Sequence, residues 1–393
     1  MPKLIRITTV PISLKLLLSG QMKHMKAAGW EVLMVSADGK EINEVTRREG
    51  VEHKVIPFTR KITPFHDLLC VWQLMKLFKK EKPDIVHTHT PKAGLLGMMA
   101  ANFAGVKMRI HTVAGMPYIV TKDNKRKLLE TMEKWTFRFA SHVWPNANSL
   151  KDFMIRENLL PPEKVEVLGD GSSNGVDLDR FNRENLKENH LVAATMRVMP
   201  GEEDFIILAI GRMVKDKGIE ELVSAFLNSK IVNRSKLVLL GDFEQDLNPL
   251  EENIIRKIED HPRIVQVSWS DHVEHYLAIS DVLVHASHRE GFPNVLLEAA
   301  AMQVPIICSD IMGNTDIVTN KKTGLVFPVK DKAILKDALE FAYVKRDIMQ
   351  GLAERLFREV CQKYDRKKMH ALILDKYNLL LNGKVNAEKE EEK

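Results

Sequence analysis

Two glutamates, Glu290 and Glu298, lie eight positions apart on either side of a predicted helix start. The helix is predicted to begin at Pro293, because proline is favoured in a first helical turn. The first backbone amides of a helix have no partner within it, so they favour an anion such as a phosphate. A carboxylate beside a phosphate is costly unless it accepts hydrogen bonds from hydroxyl groups, such as those of a ribose or another sugar. The pattern therefore indicates a site for a nucleotide sugar.

A simpler alternative is that Glu298 is a solvated helix residue and Glu290 a loop charge. The predicted helix is heavily apolar around Glu298, with the sequence NVLLEAAA. A carboxylate on such a helix is costly unless it has polar partners, which favours the functional interpretation.

A second cluster follows another predicted strand. Gly211 has no Cβ, so a ligand can approach its backbone closely. Arg212, Lys215 and Lys217 come next, at the start of a helix for which Asp216 is the predicted N-cap residue. The helix dipole disfavours cations there by a few tenths to about 1 kcal/mol unless an anion joins them. A diphosphate would serve as that anion. The alternative is that Glu220 and Glu221 neutralise the lysines as ordinary first-turn acids.

Histidines in the first half of the chain are further candidates. His111 ends a predicted strand and is followed by the small residues Ala114 and Gly115, so it could position a hydroxyl group or assist its proton transfer. A lone histidine at a strand end is also commonly structural. His87 and His89 share one face of a predicted strand, but no third ligand is evident, and we predict no metal site.

The elements that must position these residues follow a βαβ rhythm, in which short apolar runs alternate with longer helical patterns. The rhythm runs from Lys3 to Leu168 and restarts at Phe205, after a polar linker over 181–200. Parallel strands joined by right-handed helical crossovers form doubly wound sheets. We therefore predict an α/β fold with two Rossmann-like domains and a ligand cleft between them, at the carboxyl ends of the strands.

The predicted N-terminal domain covers residues 1–185, and the predicted C-terminal domain covers residues 200–365. A helix is predicted at about 366–383, where it can pack back on the N-terminal domain. Residues 384–393 are too charged to pack, and we predict a disordered tail.

Composition excludes several classes of protein. The chain has 393 residues, of which 45% are hydrophobic and 28% charged, so it is neither collagen-like nor wholly disordered. Its three cysteines, an odd number, argue against a disulfide framework and for a reducing compartment. No stretch reaches the roughly 18 uncharged apolar residues of a membrane-spanning helix. We predict a cytoplasmic protein whose membrane contact is peripheral.

The first half of the chain is strongly basic. Residues 1–150 contain 24 lysines and arginines against 12 aspartates and glutamates, which leaves 34 against 41 for residues 151–393. Such asymmetry suits an anionic partner, whether nucleic acid, acidic lipid headgroup or phosphorylated substrate. The alternative is a solubilising surface.

Four stretches occur in an order and spacing that resemble the retaining glycosyltransferases of family 4, which have the GT-B fold. They are RIHTVAG from Arg109, NGVDLDRF from Asn174, GRMVKDKGIEELVSAF from Gly211 and EGFPNVLLEAAAMQVPIICSD from Glu290. The resemblance implies two doubly wound Rossmann-like domains that face each other across a cleft. Within the family, the chain is most similar to bacterial transferases that build capsule, O-antigen or N-glycan oligosaccharides on a polyprenyl diphosphate.

The resemblance also implies roles for individual residues. Arg212 and Lys217 match the positions that hold the donor diphosphate. Glu298 matches the carboxylate that binds the nucleotide ribose, and Glu290 matches the one that faces the donor sugar. His111 matches the histidine near the transferred sugar. The catalytic group predicted on this basis is His111, Arg212, Lys217 and Glu290, and the remaining donor-binding residues are Gly211, Gly291, Phe292, Pro293, Asn294 and Glu298.

The implied reaction is transfer of a sugar, with retention, from a nucleotide-diphosphate donor (a UDP-sugar) to a glycan or a polyprenyl-diphosphate-linked acceptor. It belongs to the synthesis of bacterial surface polysaccharides or glycoconjugates. Fixed cations and helix-start amides can stabilise the leaving diphosphate, so we predict no metal and no other cofactor. No carboxylate in the loops of the first half stands out as a nucleophile, which favours front-face attack by the acceptor. The acidic second half counts against nucleic acid as a partner.

The basic first half gains a role if the acceptor lies at the anionic inner face of the plasma membrane, where each nearby lysine or arginine adds about 1 kcal/mol of attraction. Candidate contacts are the helix predicted over Phe65–Lys82 and the basic cluster Lys122, Lys125, Arg126 and Lys127. The alternative is that the apolar residues of that helix belong to the core.

The chain departs from the family pattern in two places. Many relatives have a glycine pair in the first loop, whereas the stretch from Pro11 has no glycine before Gly20, so its share in phosphate binding stays open. Gln303 stands where many relatives have glycine. Two other functions also stay open: a nucleotide-sugar epimerase of the GT-B fold, which would isomerise the sugar of the donor alone, and a non-catalytic sugar-binding module without a diphosphate site.

Overall fold

The computed structural model describes residues 1–120, 123–244 and 248–391, with the side chains of residues 117, 120, 123 and 384–391 left out. The tail predicted over 384–393 and Lys122 of the predicted basic cluster therefore lie outside the fully described residues. The chain divides into two compact units, the first comprising 1–174 and 367–393 and the second comprising 175–366.

The first unit contains six parallel strands in the order β3-β2-β1-β4-β5-β6. The strands are β1 Lys3–Ile7, β2 Glu31–Ser36, β3 Glu52–Val55, β4 Ile85–His89, β5 Met108–Val113 and β6 His142–Pro145. The helices are α1 Pro11–Leu17, α2 Gln21–Ala27, α3 Ile42–Glu49, α4 Pro64–Glu81, α5 Pro91–Phe103, α6 Asp123–Phe139 and α7 Asn148–Arg156, with short 3-10 helices at Pro117–Val120 and Pro162–Lys164. Helices α1, α4 and α5 each begin with a proline, whose missing amide costs nothing in a first turn.

The second unit also contains six parallel strands, in the order β12-β11-β10-β7-β8-β9. The strands are β7 Phe205–Ile210, β8 Ser235–Leu240, β9 Ile264–Val267, β10 Val282–His285, β11 Ile306–Ser309 and β12 Leu325–Phe327. The helices are α8 Glu188–Val198, α9 Ile219–Leu227, α10 Glu252–Asp260, α11 Val273–Ala278, α12 Asn294–Ala301, α13 Asn314–Ile317, α14 Lys332–Val344 and α15 Arg346–Lys363, with 3-10 helices at Arg183–Asn185, Lys215–Lys217 and Val232–Arg234. The two doubly wound sheets confirm the predicted α/β fold.

The last helix, α16 Arg366–Glu391, completes the core of the first unit. Its residues Met369, Ile373 and Tyr377 are buried in one cluster with Leu4 of β1 and Trp144 of β6. The chain therefore leaves the first unit after Asn174 and returns to it at Lys367.

The polar linker predicted over 181–200 is instead largely helical. Helix α8 packs on α11 and buries Ala194 and Val198, both within the second unit. Six of its eleven residues are apolar, but Val192 and Met196 are exposed, so the apolar positions do not define one buried face and the sequence pattern is only weakly periodic. Among the described residues, no helix combines the length and the apolar character needed to cross a membrane.

Candidate functional site

Two loops of the second unit carry most of the predicted site residues. The segment Gly211–Gly218 follows β7, and the loop 286–293 follows β10. Strands β7 and β10 are neighbours in a parallel sheet, so their carboxyl ends lie at the same edge. Ligands of such sheets bind at this edge.

Two glycines let the loops pack in close contact. Gly218 has a φ of +66°, and a Cβ there would lie 2.1 Å from the backbone oxygen of Ala286. Gly313 has a φ of +86°, and a Cβ there would lie 2.5 Å from the backbone oxygen of Gly291. Only glycine fits at such separations in this left-handed conformation. The loop 286–293 is therefore held from both sides.

The side chains of Lys217 and Glu290 join the two loops through an ion pair. Ser287 Oγ donates a hydrogen bond to Glu290 Oε1 at 2.8 Å, and His285 Nε2 lies 3.3 Å from the same oxygen. Burial raises the pKa of the Glu290 carboxyl, but Lys217 and His285 outweigh that effect and hold the pKa below its usual range. Glu290 is therefore a carboxylate at neutral pH, and the ammonium of Lys217 is fixed against the loop.

Asp216 makes a second connection between the loops. Its backbone oxygen accepts a hydrogen bond from the His288 amide at 2.8 Å, and its carboxylate lies 3.0 Å from Arg289 Nη2. The predicted N-cap residue Asp216 lies instead within the 3-10 helix, and helix α9 begins after Gly218 with no side-chain cap. These contacts keep Lys217 next to Glu290.

Helix α12 begins beside this pair. Pro293 is its N-cap residue and no side chain caps its first amides, so they are oriented to bind an anion. Leu296 and Leu297 are buried and fix the helix on the sheet. Glu298, one turn inside the helix, is half-buried. Burial raises the pKa of the Glu298 carboxyl, against the opposing charges of Arg180 and Arg366.

Arg212 has a different partner from the other predicted residues. Its exposed guanidinium forms an ion pair with Glu244, in the loop after β8. No hydrogen bond or ion pair within the described part of the chain joins Arg212 or Glu298 to Lys217. The structure thus brings Lys217 and Glu290 into contact, and it places Arg212 in the loop after β7 and Glu298 in the second turn of α12.

His111 lies in the first unit, inside β5 rather than at the end of the predicted strand, since β5 continues to Val113. The residue is 2% exposed, and its Nδ1 lies 2.8 Å from Thr88 Oγ1. Its ring packs over Gly94, where a Cβ would lie 2.4 Å from the ring. Burial lowers the pKa of His111 to about 4, so the ring is neutral at physiological pH.

The stretch from Pro11 to Gly20 is mostly helix α1, not an open loop. At the start of α2, the amides of Gly20 and Lys23 donate hydrogen bonds to the Glu49 carboxylate at 2.9 and 3.1 Å. A carboxylate of the chain itself therefore occupies this helix start.

One cluster in the described residues has the spacing of a metal site, and it consists of His272, Glu274 and His275. The amide of Lys187 donates to His275 Nε2 at 3.2 Å, so the neutral ring carries its proton on Nδ1. It is Nδ1 that faces Glu274, at 3.4 Å. A protonated nitrogen cannot ligate a metal, and this tautomer counts against a metal at the cluster.

Sequence reasoning missed several residues that hold the site in place. His285 and Ser287 contact Glu290, and Asp216 binds Arg289. The sequence feature that could have identified His285 and Ser287 is the polar end of the apolar stretch DVLVHAS, directly before the predicted loop. The pairing of Asp216 with Arg289 had no signal, because it depends on the packing of loops that are 73 positions apart.

Comparison with known proteins identifies the family of this chain. A family model described as Glycosyl transferases group 1 matches residues 197–356, and one described as Glycosyltransferase Family 4 matches residues 21–180. The chain is 33% identical over 382 residues to the capsular polysaccharide biosynthesis glycosyltransferase CapM of Staphylococcus aureus, covering 96% of this chain and 97% of CapM. It is 32% identical over 283 residues to an Escherichia coli UDP-Gal:alpha-D-GlcNAc-diphosphoundecaprenol alpha-1,3-galactosyltransferase, covering 69% of each chain.

Among solved structures, Anabaena Alr3699/HepE in complex with UDP has a TM-score of 0.78 and 15% identity, covering 96% of this chain and 100% of that one. At this identity the likeness shows the fold alone, and the fold is GT-B. Family models, curated relatives and fold agree along nearly the whole chain. The chain therefore belongs to the group 1 glycosyltransferases and is a glycosyltransferase of the GT-B fold.

Proposed function

We propose that the protein transfers a sugar, with retention, from a UDP-sugar to a glycan or a polyprenyl-diphosphate-linked acceptor in bacterial surface polysaccharide synthesis. The names of two relatives support this: CapM acts in capsular polysaccharide biosynthesis, and the Escherichia coli relative uses UDP-Gal and a diphosphoundecaprenol-linked acceptor. The observation that carries the proposal is the contact between Lys217 and Glu290 at the start of helix α12.

In this proposal the donor diphosphate binds Lys217, Arg212 and the first amides of α12. The diphosphate replaces Glu290 as the partner of Lys217, and Glu290 then accepts hydrogen bonds from the donor sugar. Glu298 accepts hydrogen bonds from the ribose. Gly211 has a φ of +149° and no side chain, so the diphosphate can approach its backbone closely. The contacts to the donor sugar or phosphate are completed by Gly291, Phe292, Pro293 and Asn294.

The chemistry in this proposal needs no metal. Negative charge develops on the diphosphate as the glycosidic bond breaks, and fixed cations and amides stabilise it without reorganisation. The acceptor oxygen bonds to the anomeric carbon on the face from which the diphosphate leaves, its proton passes to the departing phosphate oxygen, and the configuration is retained. His111 acts as a neutral imidazole that positions a hydroxyl group of the sugar.

The test is to replace Lys217 by alanine and to use Lys215→Ala as the matched control. Lys215 lies in the same 3-10 helix but pairs with Glu251 and Glu220, so its loss removes an equal charge outside the proposed site. We expect Lys217→Ala to lower kcat/KM about 100- to 1000-fold, as loss of one charge-stabilising group does. It should also abolish the stabilisation by UDP-sugar, which is about 2.7 kcal/mol at 100 times the dissociation constant.

Equal losses in Lys217→Ala and Lys215→Ala would contradict the proposal. A thermal-stability screen with UDP-, GDP- and ADP-sugars identifies the nucleotide, and incubation of the enzyme with donor alone excludes or reveals isomerisation of the sugar. Activity that survives exhaustive chelation supports metal independence, and activity that disappears and returns with added Mg²⁺ or Mn²⁺ contradicts it.

We further propose that the first unit contacts an anionic membrane surface through helix α4, on the inner face of the plasma membrane. Four of its apolar residues are exposed rather than part of the core, with exposed fractions of 90% for Phe65, 63% for Leu68, 44% for Leu69 and 51% for Trp72. The ammonium of Lys76 lies 3.5 Å above the Trp72 ring, and Lys79 and Lys80 are exposed one turn further on. This apolar stripe with a basic end is typical of helices that lie in a membrane interface.

The membrane proposal is tested by sedimentation with vesicles containing phosphatidylglycerol at low salt. The double variant Phe65→Ser/Trp72→Ser should bind at least tenfold more weakly. Burial of each of the two apolar side chains in the membrane contributes about 1.5–3 kcal/mol to the binding free energy. Val192→Ser/Met196→Ser, which changes exposed apolar residues of α8, serves as control. Equal sedimentation of both variants, or none by the wild type, would contradict the proposal.

A further inference from the structure

The first unit contains a buried polar layer on one face of its sheet. Arg6 in β1 lies opposite His87 in β4, and His89 lies opposite Thr112 in β5. Parallel strands normally bury apolar side chains on both faces. This layer lies against α16, whose Tyr377 hydroxyl is hydrogen-bonded to Arg6 and His87.

Arg6 is 1% exposed and has no carboxylate partner within ion-pair distance in the described part of the chain. Its guanidinium contacts Gln21 Oε1, the Tyr377 hydroxyl and His87 Nδ1, all of them neutral acceptors. Glu49 acts on it only from a longer distance. A guanidinium stays protonated in proteins, and a buried charge without a counter-ion is costly.

The histidines of this layer are uncharged, so they provide no counter-ion for Arg6. Burial and the charge of Arg6 hold the pKa of His87 and of His89 well below its usual range, so both rings are neutral. His87 Nε2 lies 2.7 Å from Thr112 Oγ1, while His89 Nε2 has no hydrogen-bond partner among the described residues.

A small cavity lies beside Arg6 and His89, with room for a single water-sized group. Trp144, Asn146 and Ser173 also line it. Three nitrogens of its lining residues are buried without a partner among the described residues, and they are Arg6 Nε, His89 Nε2 and Trp144 Nε1. The arginine and tryptophan nitrogens can only donate hydrogen bonds, and the histidine nitrogen donates in one of its neutral tautomers. The cavity therefore suits an oxygen that accepts several hydrogen bonds.

The location of the cavity is that of a ligand site. His89 is the last residue of β4, and Asn146 directly follows β6, so the cavity lies at the carboxyl edge of the sheet. We propose that it binds a phosphoryl group, with one oxygen inserted among Arg6, His89 and Trp144. The further assignment of this phosphoryl group to the diphosphate of a lipid-linked acceptor rests on the proposed function. The phosphoryl site itself does not depend on that function.

The binding test measures thermal stabilisation by inorganic pyrophosphate in the wild type and in variants of each unit. Arg6→Met should weaken pyrophosphate binding at least tenfold, as expected for loss of a charged hydrogen-bonding group. Arg109→Met is the matched control, because Arg109 is another strand arginine whose guanidinium donates to backbone oxygens outside the cavity. Should Arg6→Met fail to fold, Trp144→Phe removes one hydrogen-bond donor and keeps a ring, and we expect binding weakened about threefold.

Lys217→Ala separates this site from the proposed donor site. Stabilisation that persists in Lys217→Ala and is lost in Arg6→Met supports the phosphoryl site. Stabilisation that is lost in Lys217→Ala and kept in Arg6→Met overturns it and leaves the proposed function intact. No pyrophosphate effect in the wild type also overturns it.

Transfer kinetics then identify the source of the phosphoryl group. With a short-chain polyprenyl-diphosphate-linked acceptor, Arg6→Met should raise KM about tenfold with little change in kcat. With the same glycan as an alkyl glycoside, which has no phosphate, KM should not change. An unchanged KM for both acceptors, combined with loss of pyrophosphate binding, would assign the site to free phosphate and overturn the assignment to the acceptor.

Discussion

The two units share one strand order but place their polar side chains differently. Numbered within its own unit, each sheet has the order 3-2-1-4-5-6. In the second unit Lys217 and Glu290 lie in loops after the strands, and His285 supports Glu290 from the last position of β10. In the first unit Arg6, His87 and His89 lie within the strands, under the C-terminal helix.

This difference shows that the same strand order can stabilise charged side chains in two ways. The charge of a side chain on a loop is neutralised by a side chain of the adjacent loop, as Lys217 neutralises Glu290. Groups within strands depend on distant segments of the chain, as Arg6 depends on Tyr377, which is 371 positions away. A loop site can therefore change by local substitution, whereas a strand site changes only together with the core.

The largest effect that would test this comparison is expected for Gly218→Ala. A Cβ there lies 2.1 Å from the backbone oxygen of Ala286, at a φ of +66°. The left-handed conformation costs about 1–2 kcal/mol and the steric overlap about 1–3 kcal/mol. We expect the free energy of unfolding to fall by the sum of the two and the proposed UDP-sugar binding to be lost, as measured by urea denaturation and thermal shift.

Gly105→Ala is the matched control in the first unit. It has a φ of +78° and nothing within 4 Å of its Cβ position, so it reports the backbone cost alone. Equal losses in the two variants would show that the loops of the second unit are not held by close packing.

The next effect concerns Glu133, a buried glutamate of the first unit whose Oε2 has no partner among the described residues. Burial raises the pKa of Glu133 from 4.5 to about 7. The folded state therefore binds more protons than the unfolded state between these values, and stability falls as pH rises through this range. Glu133→Gln should match the wild type near pH 4.5 and exceed its free energy of unfolding by up to about 3 kcal/mol at pH 8.

Glu290 should show the opposite pH dependence. Its pKa is lowered, so its contribution to stability is complete above the ordinary glutamate pKa and is lost as pH falls below it. Glu290→Gln should be less stable than the wild type at pH 7, and the difference should shrink in acid. Urea denaturation of the wild type and both variants from pH 3 to pH 8 tests this, and the comparison fails if the stability difference from the wild type follows the same pH dependence in the two variants.

The smallest effect is expected for Gln303→Gly. Gln303 has a φ of +54° directly after α12, and the Val304 amide donates to the Ala299 oxygen at 2.9 Å, as in a glycine-type helix end. Glycine, which the family resemblance implies at this position, adopts this backbone without strain. The substitution should raise the free energy of unfolding by about 0.5–1 kcal/mol, and Lys321→Gly, at a φ of +60° away from α12, provides a comparison.

The sequence predicted the second unit better than the first because its motifs are short and continuous. The stretch from Gly211 and the stretch from Glu290 each contain their own helix start and polar residues. Once β7 and β10 are placed side by side, the contact between Lys217 and Glu290 follows. The pairing of Arg212 with Glu244 did not follow, because it depends on the loop after the neighbouring strand β8.

In the first unit, the burial and the partners of the candidate residues depend on contacts between segments that are far apart in the sequence. The apolar residues of α4 lie on two faces, so periodicity alone left open which face is buried, and the structure exposes Phe65 and Trp72. His111 was predicted at a strand end, but the strand continues and α5 covers the ring at Gly94. Arg6 gave no signal at all, since its partners come from α2, β4 and α16.

The return of the chain to its first unit has a consequence for synthesis on the ribosome. The core that contains Leu4 and Trp144 also needs Ile373 and Tyr377, so it cannot close until the ribosome has synthesised the chain beyond Tyr377. The second unit, continuous in sequence, can fold first during translation. Removing the segment after Arg366 should therefore expose apolar surface on the N-terminal part alone, and would yield an aggregation-prone chain with an intact second unit.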